Sequence, residues 1–193
     1  MTERDSWFEA NRLAIETYYL ADSNNPYQQS GRTTGAARWE ETRRPIANAV
    51  HRTGSFLDVG CANGLLLETV AKWVEERGIT IEPHGIDFVD GVLELARQRV
   101  PDGTFHLGNA WAWEPPQRYT FVRTNLEYVP PEDRASFVLR QHRWVEPGGR
   151  MILCYYPDRS GAIVDVPGCV ADVGLELGGV LRPTDHTIVW LPA

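Results

Sequence analysis

Two kinds of apolar pattern alternate along most of the chain. Short runs of apolar residues, suited to buried strands, are followed by longer segments in which apolar residues recur at helical spacing. The strand pattern covers residues 56–59, 79–86, 104–107, 119–124 and a run from 151, and the helical pattern covers 64–77, 91–100 and a segment after 131. Strands that alternate with helices predict an α/β fold, in which helices cover both faces of a mostly parallel sheet.

The C-terminal part of the chain breaks this alternation. Residues 175–182 and 187–191 are two strand-like runs on either side of a Pro-Thr-Asp turn at 183–185, so they predict a hairpin. Residues 160–171 leave room only for a short helix before this hairpin. The sequence therefore offers no separate substrate domain, and we expect residues 1–193 to form one domain.

The first 53 residues precede the first predicted strand and carry two helical patterns. Residues 7–20 are amphipathic, and residues 36–50 also favour a helix, which Pro45 should kink or split. We expect residues 1–53 to form a helical lid over a core of residues 54–193. Several side chains of this segment are suited either to cover a ligand or only to pack on the core: Tyr18, Tyr19, Tyr27, Arg32, Arg38 and Trp39.

The composition restricts the partners of the chain. The formal net charge is −7 and Lys72 is the only lysine, so arginine supplies nearly all of the positive charge. This acidic balance disfavours extended nucleic-acid binding. No apolar run reaches the length of a membrane span, and Cys61, Cys154 and Cys169 lack the spacing of a metal site. We therefore expect a cytoplasmic protein with reduced thiols and no metal, either a monomer or a homodimer.

The strongest candidate for chemistry is the segment 56–64, which joins the first predicted strand to the next helix. Gly60 and Gly64 allow the backbone to approach a ligand closely, and the first helical turn offers unpaired N–H groups. Asp58 would repel a phosphate but would suit a cationic amine. The segment therefore indicates a nucleoside that carries an amino acid, with an ordinary strand–turn–helix corner as the alternative.

A second candidate is the carboxylate that ends the second predicted strand. Asp87 stands there and Phe88 follows it. In a doubly wound sheet this strand end lies beside the first turn, where a carboxylate can accept hydrogen bonds from both hydroxyls of a ribose. A helix N-cap is the alternative role, but Asp90 is better placed to cap the next helix. We expect Asp87 to contact a ribose, and Phe88 to lie against an adenine or in the core.

The segment 56–64 resembles the first motif of class I S-adenosylmethionine (SAM)-dependent methyltransferases, an acidic residue and any residue followed by Gly-x-Gly-x-Gly. Asp58, Gly60 and Gly64 match the motif, and Ala62 stands in place of the middle glycine. The Pro-Gly-Gly turn at 147–149 is also typical of this family. The resemblance covers residues 54–156 well and the tail loosely. It implies a doubly wound, Rossmann-like sheet of seven strands whose last strand is inserted antiparallel.

The resemblance also implies a site for SAM and for its product S-adenosyl-L-homocysteine (SAH). Members of the family hold the ribose with an acidic residue at the place of Asp87. They usually have Asp at the place of Asn109, where the amide oxygen can still accept a hydrogen bond from the adenine amino group. The expected cofactor contacts are Asp58, Gly60, Cys61, Ala62, Gly64, Asp87, Phe88, Asn109, Ala110 and Asn125. No motif in residues 1–53 identifies a further contact.

The end of the fourth predicted strand faces the place of the transferred group in this family. Some methyltransferases that modify planar amino groups carry Asn-Pro-Pro-Tyr there. This chain matches only at Asn125 and Tyr128, because Leu126 and Glu127 replace the prolines and the rigid turn is lost. Glu127 and Tyr128 are still placed to act as a general base or to contact an acceptor, while packing of Leu126 and Tyr128 under the next helix is the alternative.

The function implied by the resemblance is methyl transfer from SAM to a small-molecule acceptor by in-line displacement, with alignment as the main contribution of the protein. A methyltransferase for RNA or protein and a SAM-binding protein without catalysis stay open as alternatives. A nicotinamide dehydrogenase is disfavoured, because residues 60–64 lack the Gly-x-Gly-x-x-Gly spacing and Asp58 would face the pyrophosphate. The sequence does not name the acceptor atom.

Overall fold

The fold comes from a computed structural model that describes residues 3–21, 24–31, 35–156, 164–182 and 186–193. Arg32 and the turn at 183–185 lie outside the described residues. Seven strands make up one sheet: β1 (Gly54–Val59), β2 (Ile81–Asp87), β3 (Thr104–Leu107), β4 (Tyr119–Asn125), β5 (Val145–Tyr155), β6 (Gly179–Leu181) and β7 (Thr187–Pro192). Their order across the sheet is β3-β2-β1-β4-β5-β7-β6.

The directions of the strands confirm the predicted fold class. The first five strands in the chain pair parallel to one another. In contrast, β7 lies between β5 and β6 and pairs antiparallel with both. The chain reverses its order across the sheet at β1, since β2 and β3 lie on one side of it and β4 on the other. A switch point of this kind opens a crevice at the carboxyl ends of the strands.

Helices cover both faces of this sheet. Among the described residues the α-helices are α1 (Glu3–Tyr19), α2 (Gly35–Ala47), α3 (Leu65–Glu75), α4 (Asp90–Arg99), α5 (Arg134–His142) and α6 (Val166–Ala171). Short 3-10 turns lie at Gln28–Ser30, Leu126–Tyr128 and Pro131–Asp133. Gly78 follows α3 with φ of 72° and donates its N–H to the carbonyl of Glu75, as is common for a glycine at a helix end.

Two large apolar clusters, one on each face of the sheet, make up most of the core among the described residues. Phe56 and Leu57 are neighbours in β1, and because successive strand side chains point to opposite faces, each belongs to a different cluster. The Phe56 cluster contains residues of α2, α3 and α4, whereas the Leu57 cluster contains residues of α5 and α6. Both side chains are fully buried, which contributes about 1.5–3 kcal/mol each.

Two details of the predicted elements need correction. Pro45 does not split the second helix, because residues on both sides of it belong to α2. The ring removes the N–H of residue 45 alone, and α2 ends two residues later, so little of the helix depends on the lost bond. The fifth strand begins at Val145, before the Pro-Gly-Gly turn, and its register against β4 shifts between Tyr119 and Phe121.

Candidate functional site

A cavity of about 390 Å³ lies at the carboxyl ends of the strands, where β1, β2 and β4 meet. The predicted cofactor contacts all line this cavity except Gly64. Both candidate general bases, Glu127 and Tyr128, line it as well. The site therefore lies at the switch point of the sheet, as doubly wound folds place their ligands.

The turn between β1 and α3 forms the floor of the cavity. Gly60 has φ of 71°, and a Cβ there would lie 2.5 Å from the Tyr128 ring, so only glycine fits. Ala62, in place of the middle glycine of the motif, has φ of 48°, in the left-handed region that side chains rarely adopt. Cys61 lines the cavity between these two residues, and burial raises the pKa of its thiol well above the ordinary value.

Gly64 serves the packing of the helices rather than the cavity wall. It has φ of 75° and directly precedes α3. A Cβ at this position would lie 3.2 Å from the Cα of Ala96 in α4, so the missing side chain allows the two helices to approach. Gly64 therefore acts in the packing of α3 against α4, on the side of the turn away from the cavity.

Asp87 is the carboxylate that organises the turn. It is buried, its Oδ2 accepts the Ala62 N–H at 2.9 Å and its Oδ1 accepts the Val89 N–H at 3.0 Å. Burial raises the pKa of Asp87, and the backbone N–H groups of Val89, Ala62 and Phe88 oppose that rise. Asp90 was predicted to cap the next helix, but it is the first residue of α4, so Asp87 also holds the N-terminus of that helix.

The other acidic residue of the motif is paired inside the protein. Asp58 is 1% exposed, and its Oδ1 accepts a hydrogen bond at 3.0 Å from Nη1 of Arg123 in β4, which is 3% exposed. Burial raises the pKa of Asp58 to about 6, and the charge of Arg123 opposes that rise. A carboxylate that is buried to this degree needs such a counter-charge to stay ionised.

Arg123 extends the network to the end of β4. Its Nη2 donates to Asn125 Oδ1 at 2.6 Å, and Asn125 Nδ2 donates to the Tyr128 hydroxyl at 2.9 Å. The Tyr128 hydroxyl donates to the carbonyl of Gly60 at 3.3 Å. Burial raises the pKa of Tyr128 well above its ordinary value, so the hydroxyl stays neutral and holds the glycine turn.

Glu127 differs from Tyr128, since one of its carboxylate oxygens has no hydrogen-bond partner among the described residues. Its Oε1 accepts the backbone N–H of Tyr156 at 2.6 Å, which fixes the side chain against the end of β5. Its Oε2 is enclosed, and no donor among the described residues reaches it. Burial raises the pKa of Glu127, while nearby Arg123 and Arg43 oppose that rise. An enclosed oxygen of this kind is usually satisfied by a ligand or an ordered water.

Asn109 lines the cavity beside Ala110 and closes a turn of its own. Its Oδ1 accepts the Trp111 N–H at 2.9 Å, which is the turn role that loop asparagines often have. An amide oxygen has two lone pairs, so one remains for a ligand. Phe88 is half-buried and also lines the cavity, where it packs against the cluster of Ala62, Val89 and Val92.

Helix α1 covers the cavity. It contributes five lining residues at helical spacing: Trp7, Phe8, Asn11, Ile15 and Tyr19. Near its start, Arg4 donates to both carboxylate oxygens of Asp133 at 2.6 and 2.7 Å, and it lies 4.6 Å from the ring of Trp111. Burial and the charge of Asp87 raise the pKa of Tyr19 to about 12, so this tyrosine is no base near neutral pH.

Asn63 connects the glycine turn to the segment after α1. The side chain is fully buried, and its Nδ2 donates to the Pro26 carbonyl at 3.0 Å and to Gln29 Oε1 at 3.2 Å. Its Oδ1 accepts hydrogen bonds from the Ser30 hydroxyl and, at 3.2 Å, from the Leu65 N–H. The turn that shapes the cavity floor is therefore tied to the part of the chain that covers it.

Most of the residues that line this cavity lie in a segment that matches a known protein family. Residues 56–149, about half of the chain, match a family model described as a methyltransferase domain. The match begins in β1 and includes the glycine turn, Asp87 and the network around Arg123. The chain belongs to the class I SAM-dependent methyltransferases. No curated protein matches this methyltransferase by sequence.

Solved structures share the fold of this methyltransferase at low identity. The N-methyltransferase NodS from Bradyrhizobium japonicum WM9, in complex with SAH, is 13% identical with a TM-score of 0.68, over 93% of this chain and 96% of that one. Magnesium protoporphyrin IX methyltransferase from Synechocystis PCC 6803, with bound SAM, is 18% identical with a TM-score of 0.63, over 98% and 95%.

A third structure contains a second ligand. The 1,6-didemethyltoxoflavin-N1-methyltransferase from Burkholderia thailandensis, with bound 1,6-didemethyltoxoflavin and SAH, is 11% identical with a TM-score of 0.67. The similarity extends over 99% of this chain and 90% of that enzyme's chain. At these identities the likeness concerns the fold.

Sequence reasoning missed two residues that shape the site of this methyltransferase. Arg123 gave a signal, because a charged residue inside a central strand such as β4 must find a buried partner. Asn63 gave none, since an asparagine beside a glycine is ordinary turn composition. Among the described residues no group of three metal-ligating side chains comes together. In the same ranges, none of the helices is long and apolar enough to cross a membrane.

Proposed function

We propose that this methyltransferase binds SAM in the cavity and transfers its methyl group to a small-molecule acceptor that enters beside α1. The observation that carries the proposal is that the site is a partly enclosed cavity. The cavity of about 390 Å³ lies between the strand ends and α1, so donor and acceptor must share a confined space. Binding sites of this size and shape are typical of small ligands.

The residues around the glycine turn fit the nucleoside part of SAM. Each oxygen of Asp87 accepts one backbone hydrogen bond and keeps a lone pair, so the two ribose hydroxyls can still donate to it. Gly60 presents backbone without a side chain to the cavity. Phe88, Asn109 and Ala110 line the cavity near the ends of β2 and β3 and would surround the adenine.

The amino-acid part of SAM would lie at the ends of β1 and β4. Asp58 and Asn125 line the cavity there, and Asp58 Oδ1 is already bound to Arg123. The second oxygen of Asp58 has no donor among the described residues and would accept a hydrogen bond from the ammonium group. Cys61 and Ala62 would contact the ligand along the turn.

Bound SAM supplies a methyl group on a positively charged sulfur. The chain contributes alignment, because the ribose and amino-acid contacts fix the donor between two strand ends for in-line displacement. Where the acceptor must lose a proton, we assign the general base to Glu127, whose free Oε2 is enclosed at the cavity. Tyr128 holds the Gly60 carbonyl instead. Residues 1–53 serve as the lid, with α1 over the cavity and residues 54–193 as the core.

Three further observations support a small acceptor rather than RNA or protein. Aromatic side chains on the lid and at the end of β5 line the cavity, and they would enclose a compact apolar or planar molecule: Trp7, Phe8, Tyr19, Trp39 and Tyr156. The net charge of −7 disfavours a polyanion. The toxoflavin N1-methyltransferase, which shares the fold, binds a small heterocycle together with SAH.

A labelling experiment tests the proposal. The protein would be incubated with SAM carrying a radioactive methyl group and with a cell extract divided into a fraction of small molecules and a fraction of macromolecules. We expect label in the small-molecule fraction. Asp87→Ala should abolish the labelling because it removes the ribose contact and the support of the turn. Asp90→Ala, three residues away and exposed, is the matched control and should keep it.

Each other outcome identifies an alternative. Label in RNA or protein would contradict a small acceptor and support a macromolecular substrate. Calorimetric binding of SAM and SAH without transfer to either fraction would favour a SAM-binding protein without catalysis. Binding of neither ligand to the folded protein would contradict the proposed cofactor site itself.

A further inference from the structure

The pairing of Asp58 with Arg123 has a consequence for how the donor is bound. Asp58 is the acidic residue of the glycine-turn motif, and it is almost completely withdrawn from water. A carboxylate in such a place becomes neutral unless a positive charge lies against it. A neutral carboxylic acid at the donor site would have to release a proton before it could hold an ammonium group as an ion pair.

We propose that Arg123 is a positioning residue of the donor site, which keeps Asp58 charged and oriented before the donor binds. The inference rests on the proposed donor site. In the free protein Arg123 is the counter-charge of Asp58, and the ammonium group of SAM joins the pair at the second carboxylate oxygen. Binding near neutral pH then requires no proton release from Asp58.

The geometry supports a positioning role for Arg123. Its Nη1 holds Asp58 Oδ1 at 3.0 Å and lies 3.4 Å from the Tyr128 hydroxyl, while its Nη2 holds Asn125 at 2.6 Å. Oδ1 is thereby fixed toward β4, and the other oxygen is left for the cavity that Asp58 lines. One buried guanidinium thus fixes both the charge and the direction of the carboxylate.

Other ionisable groups around Asp58 do not replace this function. Asp87 from β2 is a like charge that favours protonation of Asp58, whereas the charge of Arg43 from α2 opposes it more weakly than that of Arg123. Tyr128 and Cys61 stay neutral, because burial raises the pKa of both groups. Arg123 is the cation that makes a direct contact with Asp58.

The experiment compares proton release on SAH binding between variants. Calorimetric titrations near neutral pH, in two buffers with different enthalpies of ionisation, give the number of protons released. Arg123→Gln keeps a hydrogen-bond donor but removes the charge, and Arg123→Lys keeps the charge. We expect Arg123→Gln to release about one proton more than the native protein, and to bind SAH more tightly as the pH rises. Arg123→Lys should match the native proton count.

The outcome that overturns the proposal is a folded Arg123→Gln protein whose proton count and pH dependence equal those of the native protein. Failure of the native protein to bind SAH is a different result, since it would contradict the proposed donor site and not the role of Arg123. A merely structural role would weaken binding of Arg123→Gln without any additional proton release.

If Arg123→Gln does not fold, a double variant in which both members of the ion pair are neutral provides a second test. Replacing both members of a buried ion pair is far less damaging than replacing one. The double variant Asp58→Asn with Arg123→Gln should bind SAH about 10- to 100-fold more weakly. It should bind 5′-methylthioadenosine, which lacks the amino-acid end, as the native protein does. Unchanged SAH affinity would overturn the proposal, and so would an equal loss for both ligands.

Discussion

At the scale of single residues, backbone conformation and burial decide what the motif residues do. Gly60, Ala62 and Gly64 all have positive φ, yet only two of them are glycine. The sequence identified Ala62 as the departure from the family motif, but the strain at this position depends on its φ of 48°. Asp58 and Asp87 are the same residue type but have different partners. Asp58 accepts a hydrogen bond from an arginine side chain, and Asp87 accepts hydrogen bonds from backbone N–H groups.

Glycine at position 62 should make the protein more stable. A side chain in the left-handed region costs about 1–2 kcal/mol, and the greater freedom of glycine in the unfolded chain offsets about 0.4–1 kcal/mol of that. We therefore expect Ala62→Gly to raise the free energy of unfolding by about 0.5–1 kcal/mol, measured by urea denaturation. Gly60→Ala is the opposite control and should destabilise, because its Cβ would meet the Tyr128 ring at 2.5 Å. A lower stability of Ala62→Gly would contradict this account.

With an acceptor that must lose a proton, variants of Glu127 and Tyr128 should differ in their kinetics. Glu127→Gln removes the proposed base, so we expect kcat to fall about 100-fold or more while the SAH dissociation constant stays within about twofold. Activity of the native enzyme should rise with pH as Glu127 ionises, and burial places this limb above the ordinary pKa of a glutamate. Glu127→Gln should lack the limb.

Tyr128→Phe provides the comparison for Glu127. It removes a hydroxyl that holds Asn125 and the Gly60 carbonyl, so it should weaken SAH binding and leave the pH limb in place. If Tyr128→Phe removed the limb and Glu127→Gln did not, the general base would be Tyr128.

At the scale of elements, helix α1, which covers the cavity, is attached to the core near its start and through the segment that follows it. No residue of α1 is fully buried, although five of them line the cavity. Arg4 ties the start of the helix to Asp133, and Asn63 ties the segment after the helix to the glycine turn. An element with little buried surface belongs to the less stable part of a fold. We therefore regard α1 as the element whose opening admits the ligands.

Loss of the Arg4 contact should loosen α1 without unfolding the core. In Arg4→Gln, we expect faster amide hydrogen exchange in α1 and a several-fold faster dissociation of SAH, with β1 and β4 as protected as in the native protein. Arg12→Gln is the matched control, since Arg12 makes its ion pairs with Glu9 and Glu16 of the same helix. Equal exchange in α1 of both variants would show that Arg4 does not hold the helix closed.

At the scale of the whole molecule, the order of the strands creates the site. Because β1 lies between β2 and β4, the ends of strands far apart in sequence meet around one cavity. Asp58, Asp87 and Arg123 reach it from three different strands. Ligand binding should therefore stabilise the folded chain as a unit, because the cavity exists only when the sheet is complete.

Thermal unfolding should report this linkage. SAH at 100 times its dissociation constant stabilises the folded state by about 2.7 kcal/mol, which corresponds to a rise in Tm of about 5–10 °C for a chain of this size. NAD at the same concentration should leave Tm unchanged, because Asp58 would oppose a pyrophosphate. Asp87→Ala should lose the shift with SAH. A shift with NAD alone would revive the dehydrogenase interpretation.

The sequence by itself determined the α/β class, the hairpin at the end and the location of the glycine turn. These features rest on local patterns, because strand and helix periods and turn residues are properties of short segments. The residues that the motif predicts to contact a cofactor lie together at the cavity, with the exception of Gly64, because a matching motif carries its neighbours with it.

Only the tertiary structure decided which side chains partner each other. The Asp58–Arg123 pair joins residues 65 positions apart, and the Arg4–Asp133 pair joins residues 129 apart. Neither separation leaves a periodic signal, because the contact exists only when strands or helices from distant parts of the chain pack together. The free oxygen of Glu127 and the positive φ of Ala62 have the same origin. Burial and backbone geometry are set by the complete fold, so the chemistry of this site is decided there.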